Sequence, residues 1–120
     1  MFCLNSANRY FLYPYPTDMR KSFYTLGGIV TNEMGMNVQS GDAFIFVNRH
    51  LTNLKVLHAE YGGLVIYNLK LEQGTLSLPV LSDDDTNAAK RKMDFADLLA
   101  MVKGTIGERT NNVLRWKQKK

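Results

Sequence analysis

The amino-acid sequence predicts an α+β domain: an antiparallel β-meander sheet with one or two helices packed on one face. Three observations predict it. The apolar runs Ala43–Val47, Leu54–Ala59 and Leu64–Leu71 follow one another with only short turn signals between them, the pattern of consecutive antiparallel strands. Ahead of them, Met19, Phe23, Leu26 and Val30 recur at helical spacing. Behind them, Phe95, Leu98, Leu99 and Val102 form a second helical stripe.

Taken in order, Arg9–Tyr13 is rich in strand formers. Pro14 and Pro16 stop that strand and suggest a place at a sheet edge. Thr17 or Asp18 is suited to cap the first helix. Gly27 and Gly28 inside it are expected to allow close approach to the sheet, and Gly35 to close it with a left-handed residue. Ser40-Gly41-Asp42 reads as a turn into the first long strand. Gly62-Gly63 is a two-residue hairpin signal. With those two as the turn, Tyr61 pairs with Leu64, Ala59 with Ile66, Leu57 with Asn68 and Lys55 with Lys70. The other face then pairs His58 with Tyr67, Val56 with Leu69 and Leu54 with Leu71. That second face is almost wholly apolar and should meet the helices. Gln73-Gly74 marks another turn, Thr75–Leu78 a short strand ending at Pro79, and Ser82–Asn87 a polar linker. The second helix starts near Asp94 and ends at Gly104. Residues 1–104 are thus expected to form one domain and residues 105–120 a basic C-terminal arm.

The charge is unevenly distributed. The formal net charge is +4, yet residues 1–89 hold six Lys/Arg against eight Asp/Glu, and residues 90–120 nine against three. A basic terminal segment can bind nucleic acid through its phosphates. The expected pairing of Lys55 with Lys70 would set like charges across two strands, which is unfavourable unless an anion lies between them or both splay into water. Arg49 and His50 could extend the same basic surface. The longest clearly apolar stretch, Ala43–Val47, is far short of a membrane span, and the first eight residues lack a basic start with an apolar run. A cytoplasmic protein is the expectation. The single Cys3 allows no internal disulfide.

Catalytic and metal-binding patterns are missing. The two histidines, His50 and His58, show no zinc-ligand spacing, and His58 reads better as a core histidine satisfied by a hydrogen bond. Asp83-Asp84-Asp85 cannot all face one ion. No nucleophile elbow, phosphate-binding loop or dinucleotide fingerprint is present. Tyr10, Phe11, Tyr13 and Tyr15 could stack on bases, but packing explains them more simply. The expectation is a protein with no cofactor, no metal and no enzymatic activity.

Several segments carry a family likeness: Asp18-Met19-Arg20-Lys21-Ser22-Phe23 after an aromatic, proline-bearing strand; Ser-Gly-Asp-Ala-Phe-Ile-Phe-Val-Asn-Arg ending at Arg49; Leu54-Lys55-Val56-Leu57; and Gly63 to Gly74, ending Leu71-Glu72-Gln73-Gly74. In order and spacing they resemble the second-reading-frame accessory protein (TnpB type) of the insertion sequence sixty-six family, over residues 8–79 with a weaker echo in Phe95–Gly104. The chain departs from that pattern at Leu69, His50, Leu76 and Leu78. The resemblance implies a protein encoded beside a separate transposase and needed for efficient movement of the element, with DNA binding or assembly with the transposase as its role. The expected partners are therefore DNA at the element ends, the transposase, or a second copy through the sheet edge near Arg9–Tyr13. The residues expected to touch phosphates are Arg20, Lys21, Arg49, His50, Lys55, Lys70, Arg115 and Lys117. Arg20 and Lys21 open the first helix, at the unfavourable end of its dipole, so they need an acid, either Glu72 or a phosphate.

Overall fold

The computed structural model describes residues 4–79 and 90–103. Within them run β1 (Tyr10–Leu12), α1 (Phe23–Asn32), β2 (Ala43–Val47), β3 (Asn53–Glu60), β4 (Gly63–Lys70), β5 (Arg91–Met93) and α2 (Phe95–Lys103). The strands form one open sheet in the order β4-β3-β2-β1-β5. The α+β class is borne out, and β2, β3 and β4 form the expected meander. The sheet is nevertheless mixed. β1 runs parallel to β2, with Tyr10 beside Ala43 and Leu12 beside Ile45, because α1 carries the chain back between them, as a parallel connection requires.

The sheet alternates apolar side chains on both faces, so each face needs a cover. On one face Phe11, Tyr13, Phe44, Phe46 and Leu57 pack against Leu26, Ile29 and Val30 of α1. On the other, Tyr10, Leu12, Ile45, Val47, Leu54 and Val56 pack against Leu76, Leu78 and, from α2, Leu98 and Met101. The helices therefore lie on opposite faces rather than on one. The face carrying His58, Tyr67 and Leu69 meets α2 and the 75–79 segment, while α1 covers the face of Leu57 and Ile66.

Local chemistry explains several shifts from expectation. Asp18 does not cap α1. Its Oδ1 accepts the Arg20 N–H at 2.9 Å and its carbonyl accepts the Lys21 N–H at 3.1 Å, so a turn occupies the predicted first helical turn and Ser22 holds the N-cap position. The helix does end as expected: Met36 N–H reaches the Val30 carbonyl across Gly35, whose φ is +67°. Gly27 and Gly28 do not serve close approach to the sheet. A Cβ at Gly27 would meet nothing within 4 Å, and one at Gly28 only the Asn32 side chain at 4.0 Å. Ahead of α2, Asp94 Oδ1 accepts the Asp97 N–H at 2.9 Å and Asp97 Oδ2 accepts the Asp94 N–H at 3.1 Å, a reciprocal capping arrangement.

β1 is an inner strand, since β5 pairs antiparallel along its second side, Tyr10 with Met93 and Leu12 with Arg91. Self-assembly through an edge at Arg9–Tyr13 is thereby ruled out. Thr75–Leu78 is not a strand. Leu76 and Leu78 are nonetheless buried, and Leu76 N–H donates to the Leu51 carbonyl at 2.7 Å and Ser77 N–H to that of Met101 at 3.1 Å. The expected linker at Ser82–Asn87, the helix end at Gly104 and the arm at 105–120 lie outside the described residues. No helix among the described residues is long and apolar enough to cross a membrane.

Candidate nucleic-acid interface

The β3–β4 hairpin turns through Tyr61 and Gly62, both with positive φ (53° and 77°), so Glu60 faces Gly63. Two consecutive positive-φ residues define a type I′ turn, whose twist matches that of paired strands. The register is displaced by two residues from the one expected. Each strand keeps the expected alternation of faces, but Lys55 lies opposite Asn68, and Lys70 opposite Asn53. The direct Lys55–Lys70 confrontation does not exist. Lys55 is also only 9% exposed, and its Nζ donates to the Lys21 carbonyl oxygen at 2.7 Å. Its charge is directed into the fold, toward the segment that leads into α1.

That segment belongs to one end of the sheet. Pro16, Thr17, Asp18 and Met19 line a shallow groove together with Asn48, Arg49 and Asn53. Arg49 itself lines this groove, Arg20 and Lys21 follow Met19 along the chain, and Lys70 stands cross-strand from Asn53. Lys21 is half-buried, and Arg20, Arg49, His50 and Lys70 are exposed. Arg20 is paired with Asp18, not Glu72: its Nη2 and Nε lie 2.6 and 3.1 Å from Asp18 Oδ2, with the guanidinium side chain 90% exposed. The hydrogen bonds from Arg20 hold the Asp18 carboxyl well below the usual carboxylate range. Arg115 and Lys117 lie outside the described residues.

The turn that presents Arg49 and His50 is tightly built. Asn48 Oδ1 accepts the Thr52 N–H at 2.9 Å and the Asn53 N–H at 3.0 Å, while its Nδ2 donates to Thr52 Oγ1 at 2.9 Å and Asn53 Oδ1 at 3.2 Å. Leu51 N–H closes the turn onto the Asn48 carbonyl at 3.1 Å, with Leu51 itself at φ 61° and its side chain buried. Asn48, Thr52 and Asn53 are positioning residues that charge counting missed. The available signal was the Asn-Arg dipeptide at Asn48-Arg49, since Asn is suited to bonding turn backbone.

A second polar cluster is sealed inside the opposite end. His58 Nδ1 lies 2.7 Å from Glu60 Oε2 and its Nε2 3.0 Å from the Gly41 carbonyl. Tyr67 Oη donates to Glu60 Oε2 at 2.6 Å. His58 is a hydrogen-bonded core residue, as its place on an apolar face suggested. Nearby in sequence, Arg9 Nε and Nη2 donate to the Asp42 carboxylate at 2.8 and 2.7 Å, and the Ser40 hydroxyl adds a third bond at 3.0 Å. Burial pushes the Asp42 carboxyl up, but the Arg9 and Ser40 hydrogen bonds and the nearby positive charge outweigh it and leave it below its ordinary value. Among the described residues, no three His, Cys, Asp or Glu side chains gather to hold a metal ion.

Fold and site together define a small open-sheet α+β protein with a groove at one end, formed by the 16–19 segment with Asn48, Arg49 and Asn53. A family model described as IS66 Orf2 like protein matches residues 8–112. The chain belongs to that family, which carries an accessory role in insertion-sequence transposition. No solved structure matches the chain.

Proposed function

We propose that the protein serves transposition by binding DNA through phosphates at the Asn48–Asn53 end of the sheet, without catalysing strand chemistry. The observation that supports this reading is the groove in which Arg49, on a turn held by the Asn48 side chain, meets the 16–19 segment that runs into Arg20 and Lys21, with Lys70 cross-strand from Asn53 of the same groove. Cations on a preset turn meet phosphates without reading base sequence. Arg20 and His50 flank them, and Arg115 and Lys117 extend the same chemistry from the basic C-terminal stretch. Lys55 acts from beneath by holding the Lys21 backbone. The test is fluorescence anisotropy with duplex DNA, from the element ends and of unrelated sequence, over a salt series. Affinity should fall steeply with salt and be similar for both duplexes. No binding at low salt overturns the reading.

One observation favours a second reading, an adaptor for the transposase. The outward side of α1 carries no charge, and there Phe23 is 45% and Tyr24 94% exposed. Aromatic side chains of this kind anchor protein interfaces. Co-purification of the transposase at high salt, lost in Tyr24→Ala, would support it.

A further inference from the structure

The two edges of the sheet are built differently. β5 is three residues long and presents Arg91 and Lys92, a short charged edge of the kind that discourages pairing. β4 runs eight residues, Gly63–Lys70, and is uncharged until its last position. It contains no proline, and its register against β3 is unbroken from Gly63 to Lys70, with no bulge. Among the described residues no strand pairs along its outer side.

The hydrogen-bond phase of that outer side follows from the hairpin. Glu60 and Gly63 flank a two-residue turn and form a hydrogen-bonded pair, and at the far end Leu71 N–H donates to the Thr52 carbonyl. Gly63, Val65, Tyr67 and Leu69 therefore direct their backbone groups to β3, and Leu64, Ile66, Asn68 and Lys70 direct theirs outward.

We propose that β4 pairs antiparallel with β4 of a second copy about a two-fold axis normal to the sheet, joining two five-stranded sheets into one. In an antiparallel pair, facing residues share a face and the outward-directed residues must bond one another. Centring the pair on Tyr67 meets both conditions along the whole strand. Leu64 then faces Lys70, and Ile66 faces Asn68, so all four outward residues of each copy are bonded. Val65 faces Leu69 on the other face, where both are only half-buried in the single chain. The two Lys70 side chains stand at opposite ends, about 20 Å apart at the rise of a strand, so no like charges are opposed. This self-complementarity is what an isologous interface requires, and it makes a second copy the occupant rather than a strand of another protein.

The test uses the full chain without DNA. Sedimentation velocity over a wide concentration series should show a reversible dimer. Amide exchange of Leu64, Ile66, Asn68 and Lys70 should slow about tenfold or more on concentrating, while that of amides already bonded to β3 stays unchanged. Asn68→Pro removes one outward N–H and leaves the β3 ladder intact, so it should give a folded monomer. In a Cys3→Ser background, Val65→Cys with Leu69→Cys should form a disulfide-linked dimer. The two positions meet only between copies, since within one strand they are about 13 Å apart. A monomer at every concentration overturns the proposal and leaves the edge to another protein. A dimer whose four amides stay exchangeable, or whose paired cysteines do not crosslink, overturns it in favour of another surface. If Asn68→Pro fails to fold, exchange in the wild-type chain and the crosslink decide.

Discussion

The Lys55 ammonium donates to the Lys21 carbonyl oxygen at 2.7 Å, tying the centre of β3 to the residues that lead into α1. A lysine 9% exposed and so engaged acts as a structural pin. Lys55→Met keeps the buried stem and removes the donor, leaving the Lys21 carbonyl without that partner. The expected cost is about 1–2 kcal/mol of stability, measured by urea denaturation. Its salt dependence of DNA binding should match that of the wild type, because no phosphate contact is lost. A slope reduced as much as by removing an exposed cation would return Lys55 to the contact surface.

Arg49 and Lys70 carry the opposite expectation. Both are exposed, so Arg49→Ala and Lys70→Ala should leave thermal stability nearly unchanged. Each should weaken DNA binding uniformly across sequences and reduce the magnitude of the log–log salt slope by about one. Equal slopes for wild type and both variants would place the contacts elsewhere.

Asn48 separates position from charge. Its side chain accepts two backbone N–H groups and donates to two side-chain oxygens within the Asn48–Asn53 turn. Asn48→Ala leaves the turn without these bonds, at a cost of about 2 kcal/mol. Because every cation remains, any loss of DNA affinity beyond the unfolded fraction measures the value of holding Arg49 in place. An affinity unchanged from wild type would mean that the turn need not be rigid to bind.

Much of the fold is legible in the chain because apolar runs broken by turn residues mark its long strands. Ala43–Val47 and the long hairpin announce themselves by apolar content, and Asp94 and Gly35 mark helix ends through local backbone chemistry. What depends on distant partners is not legible. The pairing of β5 with β1 turns an expected edge into an inner strand, and no local feature of Arg91-Lys92-Met93 marks a partner about 80 residues away along the chain. Asp18 could serve equally as a helix cap or as a turn former, and the contact of Arg20 decides between them. Among the site residues, exposed cations can be picked by type, but burial of Lys55 depends on which element covers β3.

The Asp42 carboxylate gives the fold a defined acid limit. Its value in the folded protein lies below the ordinary 3.8, so folding favours the ionised form. That contribution is complete above the ordinary value and is lost as pH falls through the lower folded one. Asp42→Asn removes it at every pH and weakens the contact with Arg9, costing about 1–2 kcal/mol at neutral pH. The gap in melting temperature between wild type and variant should hold down to about pH 4 and close below it. A gap that widens on acidification would reverse the sign and contradict the Arg9–Asp42 geometry.

The hairpin register itself can be tested with two neighbouring glycines. In the Tyr61-Gly62 turn, Gly62 has φ +77°, where a side chain meets steric strain. Gly63 is the first residue of β4, and a Cβ there would meet only the Glu60 carbonyl at an ordinary 3.8 Å. Gly62→Ala should therefore destabilise by about 1 kcal/mol. Gly63→Ala should be neutral or slightly stabilising, since it reduces the freedom of the unfolded chain at a position an alanine can occupy without strain. With Gly62-Gly63 as a type I′ turn, both residues would need positive φ and both substitutions would cost alike. Urea denaturation of the two variants thus tests that register. Equal losses would restore Lys55 opposite Lys70, whereas a loss confined to Gly62→Ala excludes a type I′ turn at Gly62-Gly63 and agrees with Lys55 beside Asn68 and its ammonium on the Lys21 carbonyl.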